Sequence, residues 1–145
     1  MANTRAEIEN MNIGDTLPER THKVDWEDIL KFNRYVTGGV DTKNIHTDDE
    51  VARKAGLPRA LATGRHPVSF ITELMVDYLG MGFITSGEID VSFVKPIFPG
   101  DVLTLMAVLR EKSPDEGAMR YLFDVSLVNQ DGAAVTIGIA GGRLA

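Results

Sequence analysis

Val68-Ser69-Phe70-Ile71-Thr72-Glu73-Leu74-Met75-Val76-Asp77-Tyr78-Leu79 decides the architecture of this chain. Val68, Phe70, Ile71, Leu74, Met75, Val76, Tyr78 and Leu79 cover most of the surface of a helix, and only Glu73 and Asp77 form a polar edge. A helix that is apolar nearly all round is a buried one. Gly80 and Gly82 are expected to end it.

Beyond this helix the hydrophobic period switches to two. Ile89, Val91 and Phe93 alternate with Glu88, Asp90 and Ser92, which reads as a strand. Pro96, Pro99 and Gly100 make a turn, and Val102 to Arg110 is a second apolar strand. Tyr121, Phe123, Val125 and Leu127 alternate with Leu122, Asp124, Ser126 and Val128 in a third. Asn129-Gln130-Asp131-Gly132 is a hairpin signal, and Ala133 to Leu144 returns as the last strand. One buried helix followed by an antiparallel run implies an α+β layer fold, with the sheet wrapped on the helix.

Ahead of the helix the signals are shorter. Ile13 to Val24 holds a weakly periodic first strand. Asp25 to Tyr35 reads as a helix that Asp25 caps, with Trp26, Ile29, Leu30 and Asn33 at helical spacing, and Thr37-Gly38-Gly39 breaks it. A further short helix spans Asp48 to Ala55. Thr47 and Glu50 have the spacing of a capping box, and Gly56 and Pro58 stop the helix.

Composition bounds the rest. A length of 145 residues suits one domain, 1–145, and 43% hydrophobic content is enough for a core. With no cysteine, disulfides, thiolate nucleophiles and thiolate metal sites are excluded. No apolar run is long enough to span a bilayer, and Met1 to Asn12 has no signal-peptide pattern, so a cytoplasmic protein with no membrane partner is expected. A net charge of −6 argues against nucleic acid as a partner. Arg59, Arg65, Lys95, Lys112 and Arg143 remain available to a phosphorylated ligand, although solvated surface charge accounts for most of them. Asp48, Asp49 and Glu50 are consecutive, point in different directions on a helix, and make no metal cluster. No Gly-x-Ser-x-Gly elbow is present.

The chemistry is expected in the loop Asp41-Thr42-Lys43-Asn44-Ile45-His46, which places a carboxylate and an imidazole five residues apart at the mouth of a helix. Such a pair can hold one water between them, the minimum equipment for adding water to a double bond or removing it. The bland alternatives are a turn aspartate bonding its own backbone and a histidine packed back on Val51. His66 reads as a surface residue at a helix entry, the alternative being that it faces the same pocket and backs up His46, and His22 reads as exposed, with no partner in its own segment.

Three stretches give the chain a resemblance to a known family. They are Asp41 to Pro58, Ala62-Thr63-Gly64 at the opening of the central helix, and Val91-Ser92-Phe93-Val94-Lys95-Pro96-Ile97-Phe98-Pro99-Gly100-Asp101. Together with the last hairpin they resemble the hot-dog fold, and within it the MaoC-like dehydratases, which include the R-specific enoyl-CoA hydratases. The hydratase loop of that family reads Ser-Gly-Asp-x-Asn-Pro-x-His. Here Asp41 keeps its distance to His46, but Lys43 stands at the asparagine position and Asn44 at the proline position. A second alignment places Gly39 at the aspartate position. The family's His-Gly is Thr63-Gly64, and Pro67 implies a helix that begins nearer Pro67 than Gly64.

The resemblance implies an antiparallel sheet around a buried central helix and hydration of an enoyl thioester, in either direction, on CoA or an acyl carrier, without a cofactor. His46 is then the general base and Asp41 holds the water and passes a proton to the α-carbon. A Gly64 N–H stabilises the thioester oxyanion, Asn44 orients His46 or the water, and Thr63 enters the helix beside them. The family also implies a homodimer. Two alternatives stay open: a thioesterase using Glu73 or Asp77, and a non-catalytic subunit that binds acyl thioesters. The positions of Tyr35, Phe70, Met75, Phe83 and Phe98 set the depth of the acyl pocket.

Overall fold

The structure is a computed structural model that describes residues 4–145. A helix α1 (Thr4–Asn10) leads into β1 (Arg20–Lys23), α2 (Trp26–Val36), α3 (Asp49–Lys54), α4 (Arg65–Leu79) and α5 (Met81–Ser86). Four strands follow, β2 (Glu88–Phe93), β3 (Val102–Asp115), β4 (Ala118–Val128) and β5 (Ala134–Arg143). The five strands form one antiparallel sheet in the order β1-β3-β4-β5-β2.

Alternation builds this sheet, as expected for β4 and as the structure shows for β3, which the sequence announces only as an apolar run. Leu103, Leu105, Ala107 and Leu109 of β3 and Tyr121, Phe123, Val125 and Leu127 of β4 point to one face and are buried. Against that face lies α4, whose Ile71, Leu74, Met75, Tyr78 and Leu79 join the same cluster. Burying a side chain of this size stabilises by about 1.5–3 kcal/mol, so the pairing of helix and sheet is the principal source of stability. Glu73 and Asp77, the polar edge of α4, meet Arg20 of β1 at 3.7 and 2.7 Å.

Several local expectations are corrected. The first strand is shorter than Ile13–Val24, although Thr16 adds an isolated bridge to Val108. α1 buries Ile8 completely, a helix that the polar terminus does not announce. Asp25 occupies the N-cap of α2 but makes no cap hydrogen bond, because its carboxylate pairs with Lys23 at 3.0 Å. The Thr47–Glu50 capping box does not form. Asp48 is the cap of α3, accepting from Val51 N at 3.0 Å, while the Thr47 hydroxyl donates to Thr42 O at 2.6 Å. Asp48 has the better acceptor one residue nearer the helix, and Thr47 is drawn back into the preceding loop. The Asp48 carboxyl is held below its ordinary range, chiefly by that bond from Val51.

α4 begins at Arg65, with Gly64 at its N-cap, rather than near Pro67. Pro67 sits in the first turn, where its missing N–H costs nothing, and tertiary packing overrides its bias against a helical His66. Gly80 ends α4, but Gly82 lies inside α5. A Cβ on Gly82 would come within 2.0 Å of Arg143 O, so this glycine serves close packing of α5 on the end of β5.

Two connections carry the central helix to its site. The turn Phe98–Asp101 is closed by Asp101, whose carboxylate accepts from Phe98 N at 2.8 Å and from Gln130 Nε2 at 2.9 Å, which joins it to the last hairpin. Ala62 N donates to Ile97 O at 2.8 Å, so the segment entering α4 is stitched to the segment leaving β2.

Candidate active site

The loop 41–48 and the first residue of α3 meet the segment 59–64 through three hydrogen bonds between residues distant in sequence. Ala60 N donates to Asp49 Oδ1 at 2.9 Å, Leu61 N donates to Ile45 O at 3.2 Å, and the His46 ring bonds Leu61 O through Nδ1 at 2.8 Å. A carbonyl can only accept, so Nδ1 carries the hydrogen and Nε2 is the basic nitrogen. The imidazole is therefore fixed in both orientation and tautomer by main chain.

His46 lies on the wall between two adjoining hollows. One, of about 290 Å³, is lined by His46, Leu61, Ala62, Thr63, Gly64 and the stretch Phe93–Ile97. The other, of about 480 Å³, is lined by Asn33, Val36, Thr37 and Asn44 together with His46, Thr63, Gly64, Arg65, Val68 and Phe93. His46, Thr63, Gly64 and Phe93 belong to both. Of the five residues expected at the site, His46, Asn44, Thr63 and Gly64 are brought together here.

Gly64 N–H has no backbone partner among the described residues and opens the fifteen-residue α4, whose dipole favours negative charge at that end. Gly64 is in the ordinary right-handed helical region, so space and not conformation demands a glycine. A Cβ there would lie 2.6 Å from Phe93 Cε2. The Thr63 hydroxyl is buried without a hydrogen-bond partner. Asn44 Oδ1 accepts from His46 N at 2.8 Å, a local turn that holds His46 on its loop.

Asp41 is not brought in. Its side chain is 83% exposed and stands 3.8 Å from Arg34 Nε, on the solvent side of the loop, and it lines neither hollow. The second alignment helps no more, because Gly39 is exposed in the turn that closes α2, donating to Arg34 O at 2.7 Å.

The other two histidines are not surface residues. His66 is 6% exposed and stacks on Phe32, with centroids 4.9 Å apart, and it leans against Phe70. His22 is half-buried and stacks on Phe70 at 4.0 Å. Burial lowers the pKa of both, partly opposed at His22 by Glu73 and at His66 by Asp28. Neither lines the hollows at His46. Of the residues weighed for pocket depth, Met75 and Phe83 are core, Tyr35 is 89% exposed, Phe70 belongs to the histidine stack, and Phe98 lies under Arg59.

Asn33 and Phe93 join the site without having been singled out for it, and of the five cations weighed for a phosphorylated ligand Arg65 and Lys95 are the two that line it. Asn33 is a buried polar residue on the apolar stripe of α2, and that mismatch is the one signal the sequence offers. Arg65 and Lys95 stand at the rim with no carboxylate within ion-pair distance among the described residues. Among those residues no group of three or more His, Asp or Glu side chains could hold a metal ion, and no helix is long and apolar enough to cross a membrane.

Comparison with known proteins places the fold and the family. The family model described as "MaoC like domain" matches residues 9–124. YdeM of Bacillus subtilis (strain 168) is 25% identical over 118 residues, which cover 79% of this chain and 81% of YdeM. A monoamine oxidase regulatory protein from Archaeoglobus superposes with a TM-score of 0.74 at 27% identity, over 94% of this chain and 92% of that one. An (R)-hydratase from A. caviae involved in PHA biosynthesis superposes equally well, with a TM-score of 0.74, at 17% identity over 94% of this chain and 99% of that one, a likeness of fold alone. The five-stranded sheet on α4 is the hot-dog fold, and the chain belongs to the MaoC-like dehydratase family.

Proposed function

We propose that this protein adds water to an enoyl thioester, or removes it, with His46 as the acid–base group. The observation that carries this reading is the bond from His46 Nδ1–H to Leu61 O, which leaves Nε2 as the basic nitrogen of a histidine that shares a cavity wall with Gly64. Family membership supplies the reaction class.

In the hydration direction, His46 Nε2 takes a proton from water as the water oxygen bonds the β-carbon. The π pair of the double bond moves toward the thioester oxygen, where Gly64 N–H and the start of α4 stabilise the negative charge. The imidazolium then returns its proton to the α-carbon, and His46 ends as it began. This sequence moves only water and protons and draws on no redox group. We assign the proton return to His46 rather than to Asp41, because Asp41 lies outside the cavity against Arg34.

Arg65 and Lys95, unpaired at the rim, support a substrate handle bearing phosphate, as in CoA. The free edge of β2, beside half-exposed Phe93 and Val94, supports pairing with a second copy. One observation favours a second reading, a binding subunit without turnover: the exposed Asp41. The thioesterase alternative has less support, since Glu73 and Asp77 are tied to Arg20 and line neither hollow.

The deciding experiment follows enoyl absorbance with crotonyl-CoA for wild type, His46→Ala and Asp41→Asn. Loss of absorbance by wild type that His46→Ala abolishes supports the hydratase reading. Release of free thiol moves the protein to the thioesterases. Saturable binding of crotonyl-CoA without turnover makes it a binding subunit.

A further inference from the structure

Asn33 is 4% exposed, sits on the apolar stripe of α2, and is neither a good helix former nor inexpensive to bury. Its hydrogen bonding explains its presence. Asn44 Oδ1 faces His46 N–H, which can only donate, so Asn44 must turn its Nδ2 the other way. That Nδ2 reaches Asn33 Oδ1 at 3.3 Å, with Thr42 Oγ1 as a second acceptor at 3.2 Å. The chain Asn33–Asn44–His46 therefore runs from a buried helix position to the main chain of the basic histidine, and all three side chains line one hollow.

Asn44 occupies the position at which the family's loop has proline, a residue that stiffens a loop through its fixed φ. Here the loop is stiffened by a side-chain turn instead, and a turn of this kind holds only while its amide is oriented. Thr42 is exposed and on the same loop, so it cannot anchor the loop to the body of the protein. Asn33 can, because α2 is packed through Ile29 into the core.

We infer that Asn33 is a positioning residue: acting through Asn44, it anchors the loop that presents His46, and so substitutes for the rigidity of a proline. The inference deepens the reading of His46 as the acid–base group and rests on it for its kinetic consequences.

The test is a double-mutant cycle of Asn33→Leu and Asn44→Ala, read on crotonyl-CoA kinetics, melting temperature and the imidazole ¹⁵N shifts of His46. Leucine shares the branching of asparagine and is apolar, and Asn44 Nδ2 retains Thr42 Oγ1 as an acceptor, so the melting temperature is expected to shift by only a few degrees. Each single change is expected to lower kcat about 10- to 100-fold, the scale of a small misplacement of a reacting group, with KM within about twofold. The double variant is expected to lose no more than the worse single one, since either change breaks the same relay. His46 is expected to lose its single Nδ1–H tautomer signature in all three. Asn33→Asp retains the acceptor for Asn44, so it is expected to keep that signature.

Wild-type His46 signals in Asn33→Leu, or losses that multiply in the double variant, overturn the inference. So does a loss of kcat in step with a loss of stability while the His46 signals stay wild-type. If Asn33→Leu does not fold, Asn33→Ala against Asn33→Asp makes the same distinction: the relay requires the signature lost in the first and kept in the second. Absence of turnover in wild type overturns the hydratase reading instead, and the ¹⁵N cycle still decides the relay.

Discussion

His46 and Leu61, fifteen residues apart, are joined by a 2.8 Å hydrogen bond from the imidazole Nδ1 to the main-chain carbonyl. The bond selects one tautomer and aims the basic nitrogen away from Leu61, in a wall shared with Gly64. Replacing His46 by Ala or Gln removes the acid–base group, and kcat on crotonyl-CoA is expected to fall about 10²- to 10⁴-fold. Stopped-assay absorbance with matched circular dichroism checks this.

Asp41 separates two mechanisms. Exposed and 3.8 Å from Arg34, it contributes little if His46 returns the proton itself. Asp41→Asn is then expected to change kcat less than about threefold, as surface substitutions do. A collapse matching that of His46→Ala would show that the loop turns this carboxylate inward during turnover.

Gly64→Ala puts a methyl group where Phe93 Cε2 lies 2.6 Å from an ideal Cβ. The Phe93 ring is 54% exposed and has room to swing outward, so the melting temperature should fall by only a few degrees. The displaced ring and the methyl both crowd the wall beside His46, and kcat/KM is expected to drop about a hundredfold. Adding Phe93→Ala should recover the stability without restoring the activity.

Arg65→Ala and Lys95→Ala are expected to raise KM for crotonyl-CoA about two- to fivefold each, the scale of an exposed charge pair. Neither should alter KM for crotonyl-pantetheine, which lacks the phosphates. An equal rise with both substrates would remove the phosphate assignment.

The stack of His22, Phe70, His66 and Phe32 makes stability depend on pH in one direction. Burial lowers both histidine pKa values below the ordinary 6.5, so the folded protein holds these rings neutral. The unfolded chain takes up protons as pH falls through about 6.5, while the folded one does so only lower. Stability is therefore full above that pH and declines as pH falls from there toward the folded pKa values. Melting temperatures from pH 7.5 to 5 should show the decline, and His66→Phe, which preserves the stack, should reduce it to the part that His22 contributes.

Much of the architecture was legible because it is written in local periodicity. A helix apolar on nearly every side has to be buried, and β4 alternates so regularly that its inner face could be named in advance, whereas β3 reads as a continuous apolar run whose inner face only the structure shows. Helix ends were less legible, since a cap is a competition among neighbours: Asp48 displaced Thr47, and Lys23 drew Asp25 away from its own helix. The short helices α1 and α5 carry too few turns for a period to emerge.

The sequence by itself determined that a buried helix carries an antiparallel sheet and that His46 stands at the mouth of a helix, whereas the start of α4 at Gly64 was settled by packing. The first two are properties of residues and their near neighbours. Tertiary structure alone decided which carbonyl accepts the hydrogen bond from His46 Nδ1, that Asp41 faces water, that Asn33 holds Asn44, and that His22 and His66 share one aromatic stack. Each depends on how segments distant in the chain come to lie beside one another. Spacing along a chain fixes which residues share an element, but not which way a loop side chain turns.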